Sequence, residues 1–205
     1  MEWTLMGQEL RGFSRIERFG WSVDLSANGK TLAVGARSPT ANTQRGYVRV
    51  YDYDDAGGQW EILGQDIAGA NRWDSFGRSV SLSRNGRNVI VGATGDDSGV
   101  NVINGYARVY QYDTDAGQWD QVGSDIVGAA SRDYAGKSVS ISGDGMVVAV
   151  GATNNDDVAR SSGQVRVFEV VNVFGDDGMA SSCISTATLS PPASPTTAPL
   201  HLKKN

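Results

Sequence analysis

The sequence is short of the residues on which disulfide, zinc and histidine chemistry depend. Its 205 residues include one cysteine, Cys183, and one histidine, His201. A single cysteine excludes an internal disulfide framework, and one Cys with one His cannot form a structural zinc site. Because His201 lies in a terminal segment without apolar periodicity, Ser-His and Cys-His catalysis lack a general base. We therefore predict a non-enzymatic protein without catalytic residues.

Long apolar runs and an excess of basic residues are also missing. The longest apolar stretches, such as residues 147–150, are far shorter than the roughly 18 residues that span a bilayer. The formal net charge is -5, and nothing in the sequence resembles the basic stripe that neutralises phosphates or anionic lipid headgroups. The first four residues, MEWT, show neither the basic nor the apolar region of a secretory signal. We expect no nucleic-acid partner and no membrane insertion.

Glycine is abundant, with 26 residues against five prolines. This ratio is typical of hairpin-rich β proteins, because tight turns need positive φ. Trp3, Trp60 and Trp119 open matching segments that are spaced 57 and 59 residues apart. A period of this length indicates one supersecondary unit per copy. The predicted repeats cover residues 1–59, 60–118 and 119–174.

Each repeat carries strand patterns in the same order. The first pattern reads SVDLS, SVSLS or SVSIS, and its alternation of apolar and polar residues predicts a half-buried strand. An Asn-Gly or Asp-Gly dipeptide follows, which predicts a two-residue type I′ hairpin, and then an apolar strand. A third strand comes after a variable polar loop, and the next Trp opens the fourth. The chain therefore reads as an all-β fold of four-stranded antiparallel blades of the β-propeller type.

Certain tryptophans and glycines recur at fixed places and are predicted to be structural anchors. A Trp that recurs once in every copy is more simply explained by packing between blades than by a platform for sugars. The predicted anchors are Trp3, Trp60, Trp119, Gly20, Gly77, Gly136, Gly35, Gly92 and Gly151.

The residues 76–83, which read FGRSVSLS, together with the VGA at 91–93 resemble the FG-GAP repeat, the blade unit of integrin α-subunit propellers and of many secreted proteins. The resemblance covers about residues 1–170, with three copies in register. It implies a β-propeller that acts in extracellular recognition or adhesion, secreted or at the cell surface. The chain departs from the family where Arg37, Thr94 and Thr153 follow Gly-Ala in place of proline.

The same resemblance raises the question of calcium, which integrin-type blades often hold in a D-x-D-x-D-G loop between the first two strands. Here the corresponding loop has shrunk to Asn-Gly or Asp-Gly. Ser83 and Asn85 would offer two side-chain oxygens, whereas calcium takes about six to eight oxygen ligands. We therefore predict no calcium site and no other cofactor.

The loops after the second strand carry adjacent acidic and amide side chains. Binding function often lies in loops, so a weak calcium or sugar-hydroxyl site is one interpretation. The other is that these side chains are solvated turn formers. The candidate loop residues are Asp96, Asp97, Asn154, Asn155, Asp156 and Asp157.

Two tryptophans do not recur and are candidate contact aromatics. Trp21 aligns with Arg78 and Lys137, and Trp73 aligns with Ile16 and Arg132. A contact private to this protein is one interpretation, and incidental surface packing is the other.

The C-terminal segment, residues 175–205, breaks the pattern. Residues 181–199 are mostly Ser, Thr, Pro and Ala, which predicts a disordered tail or linker. Three blades are also fewer than the roughly four to eight of closed propellers, so open edges must be covered. We predict either further blades from a longer chain or a ring of about six blades from two chains. The Trp3 segment is a candidate fourth strand for the last blade.

These features predict an extracellular binding or adhesion module, in which blades form the scaffold and variable loops contact a protein or glycan. One alternative is a structural spacer within a larger cell-surface protein. A remote alternative is a propeller-type glycan hydrolase or lyase that uses Asp74, Asp133 and the loop acids.

Overall fold

The computed structural model describes residues 1–13, 17–37, 45–71, 73–95, 104–174 and 180–186. Within these ranges the chain forms thirteen β-strands and no helix. The strands form three antiparallel sheets, each of which follows the chain order. The predicted all-β fold of successive four-stranded sheets is therefore confirmed.

The strand bounds show how each repeat becomes one sheet. The first sheet contains β1 (Phe19–Leu25), β2 (Thr31–Ala36), β3 (Tyr47–Asp54), β4 (Gln59–Ile62) and the short β5 (Ile67–Ala68), which also pairs with β3. The second contains β6 (Phe76–Leu82), β7 (Asn88–Ala93), β8 (Tyr106–Asp113) and β9 (Gln118–Val127). The third contains β10 (Ala135–Ile141), β11 (Val147–Ala152), β12 (Gln164–Phe174) and β13 (Ala180–Thr186). The Trp-containing strand ends a sheet, so the predicted boundaries at 59/60 and 118/119 fall inside sheets.

A β-bulge opens the first strand of every sheet. In the first sheet the register shifts between Phe19, which pairs with Ala36, and Ser22, which pairs with Gly35. Gly20 lies in this bulge with a φ of 83°, and its counterparts in the other sheets have φ values of 80° and 82°. An extra residue in a strand often needs the left-handed region, which glycine enters without steric cost. The recurring glycine is explained by this backbone geometry.

The turn between the first two strands differs from the predicted two-residue hairpin. Residues 27–30 form the loop, because the backbone N–H of Ser26 donates to the carbonyl of Thr31 at 2.9 Å. Gly29 has a φ of 69°, but Asn28 is not in the left-handed region, so the type I′ prediction is wrong. The longer loop is held by side chains, since the Asn28 Oδ1 accepts from the Ser26 Oγ at 2.8 Å and from the Lys30 N–H at 3.0 Å.

The three sheets pack face to face around two apolar clusters. Val48 and Val50 of the first sheet pack with Val80 and Leu82 of the second. A second cluster fills the space between the second and third sheets, and its larger members are Ile90, Val109, Ile126, Ile141, Val148, Val150 and Phe168. The first strands of consecutive sheets are neighbours, as in a propeller, but the three sheets do not close into a ring.

The recurring tryptophans join consecutive repeats. The Trp119 side chain is buried, and its Nε1 donates to the carbonyl of Leu63 at 2.9 Å. Trp60 repeats this arrangement with the N-terminal segment, because its Nε1 donates to the carbonyl of Met6 at 2.9 Å. Trp3 differs from the other two, since its side chain is fully exposed.

The last sheet is completed by β13, which pairs with β12 from Phe168↔Thr186 to Phe174↔Ala180. The structure thus differs from two expectations. Residues 180–186 form a strand inside the segment expected to be disordered, and the Trp3 segment lies against Trp60 of the first sheet. An edge strand offers unpaired N–H and C=O groups, so a polar segment can pair with it without apolar periodicity.

Candidate functional site

A buried acidic residue precedes the first strand of every sheet, at Glu17, Asp74 and Asp133. The Asp74 carboxylate accepts hydrogen bonds from the backbone N–H groups of Asn71 and Phe76, both at 3.1 Å. It also accepts from the Tyr106 hydroxyl at 2.6 Å. The acid thus satisfies donors of the loop that leads into the strand.

In the third repeat, a different set of donors forms hydrogen bonds to the buried acid. Asp133 accepts from the backbone N–H of Ala130 at 2.8 Å and from the Asn155 Nδ2 at 3.1 Å. Gln164 stands where the second repeat has Tyr106, so the amide of Asn155 takes the place of a tyrosine hydroxyl. Asn155 is itself buried, and this hydrogen bond explains its position in the candidate loop.

The tyrosines beside these acids remain protonated at neutral pH. Burial, reinforced by Glu17, raises the pKa of Tyr47 to about 12. Burial and then the neighbouring Asp74 raise the pKa of Tyr106 above its usual range. The Tyr106 hydroxyl therefore keeps the proton that it donates to Asp74. A glycosidase needs carboxylates that contact the substrate, whereas Asp74 and Asp133 are buried and bonded within their own repeats.

The candidate ligand loop is described only in part. Asp96 and Asp97 lie outside the described residues. In the third repeat Asn154, Asp156 and Asp157 are exposed. The Asp156 Oδ1 accepts from the backbone N–H of Ser161 at 2.5 Å.

Asp157 is also engaged within its own loop. Its carboxylate accepts from the Gln164 Nε2 at 3.2 Å. Across the described ranges no group of three or more His, Cys, Asp or Glu side chains is placed to hold a metal ion. Ser83 and Asn85 were considered above as calcium ligands. The Ser83 Oγ instead donates a hydrogen bond to the Asn85 Oδ1 at 2.8 Å within their hairpin.

The two tryptophans that do not recur have different settings. Trp73 is half-buried and has a φ of 72°, close to the 70° of its counterpart Arg132. The turn therefore imposes the same left-handed backbone on both residues. Trp21 lies on β1 with 41% of its surface exposed, which makes it the more accessible of the pair.

Three arginines surround the Trp21 ring, and we call these four residues the Trp21 cluster. The guanidinium carbons of Arg18, Arg37 and Arg78 lie 5.4, 5.0 and 5.3 Å from the ring centroid. These distances fall within the roughly 6 Å over which a cation is attracted to an aromatic face. Arg18 precedes β1, Arg37 follows β2, and Arg78 lies on β6 of the second sheet, so the fold brings three separate segments together.

Two of the three arginines that recur in the third strand pair with carboxylates. Arg49 forms a bidentate pair with Asp66 at 2.6 and 2.5 Å, and Arg108 pairs with Asp125 at 2.7 and 2.8 Å. Arg108 holds the pKa of Asp125 below its usual value. Among the residues that the structure covers, neither Arg18 nor Arg78 forms an ion pair with a carboxylate. Arg18 and Arg78 therefore bring two positive charges to the Trp21 cluster that none of the ion pairs among the described residues balances.

Sequence reasoning singled out Trp21 but not the arginines around it. Two signals were present in the sequence. Trp21 aligns with Arg78, so the two occupy equivalent places in neighbouring sheets, and Arg37 stands where the FG-GAP pattern has proline. The packing of adjacent sheets, which brings Trp21 and Arg78 into contact, could not be predicted from the sequence.

Comparison with known families matches one repeat of the chain. Residues 127–168 match the family described as the FG-GAP repeat, a segment that spans β10, β11 and the first part of β12. The protein therefore contains an FG-GAP repeat, in a fold of propeller-type blades. The resemblance noted from the sequence is confirmed for the third repeat, and the other two share its strand order and bulge. No curated protein matches the chain.

Three solved structures are similar to parts of this chain. Sqt1 of Saccharomyces cerevisiae is 13% identical, with a TM-score of 0.48, over 89% of this chain and 39% of that one. The hydrazine synthase of Kuenenia stuttgartiensis is 14% identical, with a TM-score of 0.46, over 72% and 39%. The periplasmic gluconolactonase PpgL of Pseudomonas aeruginosa is 20% identical, with a TM-score of 0.46, over 84% and 43%. The chain thus spans less than half the length of each.

In the described residues, no helix is long and apolar enough to cross a membrane.

Proposed function

We propose that this protein is a non-catalytic binding module, which recognises an anionic partner outside the cell through the Trp21 cluster. The observation that carries the proposal is the convergence of Arg18, Arg37 and Arg78 on one exposed indole. The extracellular setting rests on the resemblance to FG-GAP propellers.

The chemistry of the cluster favours carboxylate or sulfate groups. A guanidinium presents a planar fork of donors that matches the oxygens of these anions in pairs. Contact with the indole restricts the arginine side chains before binding, which lowers the entropy that association costs. The exposed part of Trp21 adds apolar contact area beside the charged groups.

The arrangement of the acids supports binding over catalysis. Asp74 and Asp133 are buried and serve as hydrogen-bond acceptors for their loops. The exposed Asp156 and Asp157 accept hydrogen bonds within the third loop. Stability thus resides in the sheets and their connecting loops, while the Trp21 cluster offers cationic groups to solvent.

A direct test is equilibrium binding of the full chain to two polyanions, heparin and poly-glutamate, followed by calorimetry at low and high salt. The Arg78→Gln variant removes one guanidinium from the cluster. The matched control is Arg160→Gln, an exposed arginine of the third loop, which changes the net charge equally. We expect Arg78→Gln to weaken binding about tenfold and Arg160→Gln to leave it within about twofold.

The two probes separate the sources of negative charge. Stronger binding of heparin would indicate a sulfated glycan, and stronger binding of poly-glutamate would indicate an acidic protein. Equal losses for the two variants would show a non-specific charge effect, and the site assignment would be wrong. Absence of binding to both polyanions would refute the proposal.

A further inference from the structure

The two ends of the stack of sheets carry the two halves of a contact that the chain makes twice internally. We define the front face as the side of the first sheet that points away from the second. The rear face is the side of the third sheet that points away from the second. Val23 and Leu25 lie on the front face, and Val165 and Val167 lie on the rear face.

Valines on the front and rear faces are much more exposed than the equivalent valines between sheets. Val80 of the second sheet is 9% exposed because the first sheet covers it, whereas Val23 at the same place is 61% exposed. Val48 of the first sheet is fully buried by the second, whereas Val165 at the same place is 70% exposed. Each end therefore exposes an apolar surface that a neighbouring sheet covers inside the chain.

The internal contacts are built on closely approaching glycines. A Cβ added to Gly77 would lie 3.3 Å from the Cα of Gly35 in the preceding sheet, and a Cβ on Gly35 would overlap the Gly77 carbonyl. The second and third sheets repeat this contact between Gly92 and Gly136, where a Cβ on Gly136 would lie 3.1 Å from the Gly92 Cα. Only glycine allows sheets to approach so closely at these places.

Side-chain hydrogen bonds cross the same contacts in a fixed register. The Ser22 Oγ donates to the carbonyl of Gly77 at 2.9 Å, and the Ser79 Oγ donates to the carbonyl of Gly136 at 2.9 Å. Ser138 occupies the equivalent place in the third sheet and is exposed at the rear face.

Backbone hydrogen bonds repeat the same register at the hairpins. The N–H of Ala27 donates to the carbonyl of Arg84 at 3.1 Å, and the N–H of Arg84 donates to the carbonyl of Gly143 at 2.9 Å. Continuing the series would join the N–H of Gly143 to the carbonyl of an Ala27. The third sheet thus carries the donor and the first sheet carries the acceptor.

The glycines at the two ends have no neighbouring sheet. A Cβ on Gly20 would meet nothing within 4 Å among the described atoms, although its counterparts Gly77 and Gly136 are enclosed. For a Cβ on Gly151, the three nearest atoms all belong to Ser138 of its own sheet. The front face therefore offers the bulge glycine, and the rear face offers the glycine and serine that receive it.

We propose that the rear face of one chain binds the front face of a second copy, and that two such contacts close a ring of six sheets. The same chain carries both halves of the contact in the register that its own sheets use. Six sheets lie within the roughly four to eight of closed propellers, and a head-to-tail contact that closes yields a discrete dimer. This inference uses other residues than the Trp21 cluster and does not depend on the proposed function.

The test is the oligomeric state of the full chain, measured by sedimentation velocity and light scattering over a range of concentrations. We expect a discrete dimer in equilibrium with monomer. Gly20→Ala adds a Cβ where the second copy would approach, so we expect a dissociation constant about tenfold higher or more. The matched control is Gly58→Ala, also at positive φ, where the added Cβ would meet only the Tyr53 hydroxyl at 3.8 Å.

A second pair of variants keeps the test informative if Gly20→Ala misfolds. Val167→Asp places a charge on the exposed rear face, and Val158→Asp places one on an exposed loop outside it. We expect Val167→Asp to abolish the dimer and Val158→Asp to preserve it. A wild-type chain that stays monomeric, forms open polymers, or dimerises equally well with Val167→Asp would overturn the proposal.

Discussion

The buried acid before each first strand provides the sharpest test of how these repeats are held together. Replacing Asp74 with alanine leaves the N–H of Phe76 and the hydroxyl of Tyr106 without their acceptor, and both residues are buried. Leaving a buried donor unsatisfied costs about 1–3 kcal/mol, so the two together predict a loss of about 2–6 kcal/mol. The N–H of Asn71 adds little, because that residue is exposed and water can replace the carboxylate.

The loss can be measured by urea unfolding followed by tryptophan fluorescence, with thermal unfolding as a second readout. For a chain of this size, about 1 kcal/mol lowers Tm by about 2–4 °C, so Asp74→Ala is expected to lower Tm by about 10 °C. Asp120→Ala, at an exposed acid of β9, is the control and is expected to stay within about 0.5 kcal/mol of wild type. A loss below about 1 kcal/mol for Asp74→Ala would refute the assigned role.

Three further predictions concern an ion pair, a buried tyrosine hydroxyl and a buried tryptophan. Arg108 lowers the pKa of Asp125, so this pair stabilises the fold above the usual pKa of about 4 and loses that contribution as pH falls below it. Asp125→Asn should cost about 1–2 kcal/mol near neutral pH. The free energy of unfolding of this variant, measured with urea, should also fall less steeply than that of wild type as the pH is lowered. Tyr47 has its pKa raised to about 12, so wild type should lose stability as pH rises from about 10 towards that value, and Tyr47→Phe should reduce the slope of urea midpoints in this window. Trp119→Phe should cost about 1–3 kcal/mol because a buried indole loses its N–H bond and contact area, whereas Trp3→Phe at a fully exposed ring should change the urea midpoint by less than about 0.5 kcal/mol.

Much of the fold was predictable because each strand signal depends on local sequence. Alternation in SVSLS specifies one buried side of a strand, and the apolar run in VIVGA specifies a strand between two neighbours. The hairpin loops were harder to predict. Asn-Gly is compatible with more than one turn, and the choice depended on whether Ser26 and Asn28 bond to the loop backbone.

The candidate site was predictable only in its central residue. Trp21 was distinctive because it breaks the repeat, but Arg18, Arg37 and Arg78 come from three segments whose approach depends on sheet packing. β13 was missed for a related reason. A segment rich in Ser and Thr carries no apolar pattern, and its pairing depends on the edge that β12 offers.

Of the three buried acids, Asp74 and Asp133 were interpreted from the sequence as a remote catalytic possibility. Their recurrence at Glu17, Asp74 and Asp133 was visible in the aligned repeats, but a carboxylate in a loop has the same sequence signal whether it faces solvent or caps the backbone. Burial and hydrogen-bond partners distinguish the two cases, and here they favour a structural role.

Hydrogen exchange with mass spectrometry on the full chain, with and without the polyanion that it binds, tests the central claim most directly. If the Trp21 cluster is the recognition site, ligand should slow exchange in peptides that cover residues 17–25, 31–37 and 76–82, and Arg78→Gln should remove that protection. Protection confined to the loop at residues 153–163, or protection that persists in Arg78→Gln, would contradict the account.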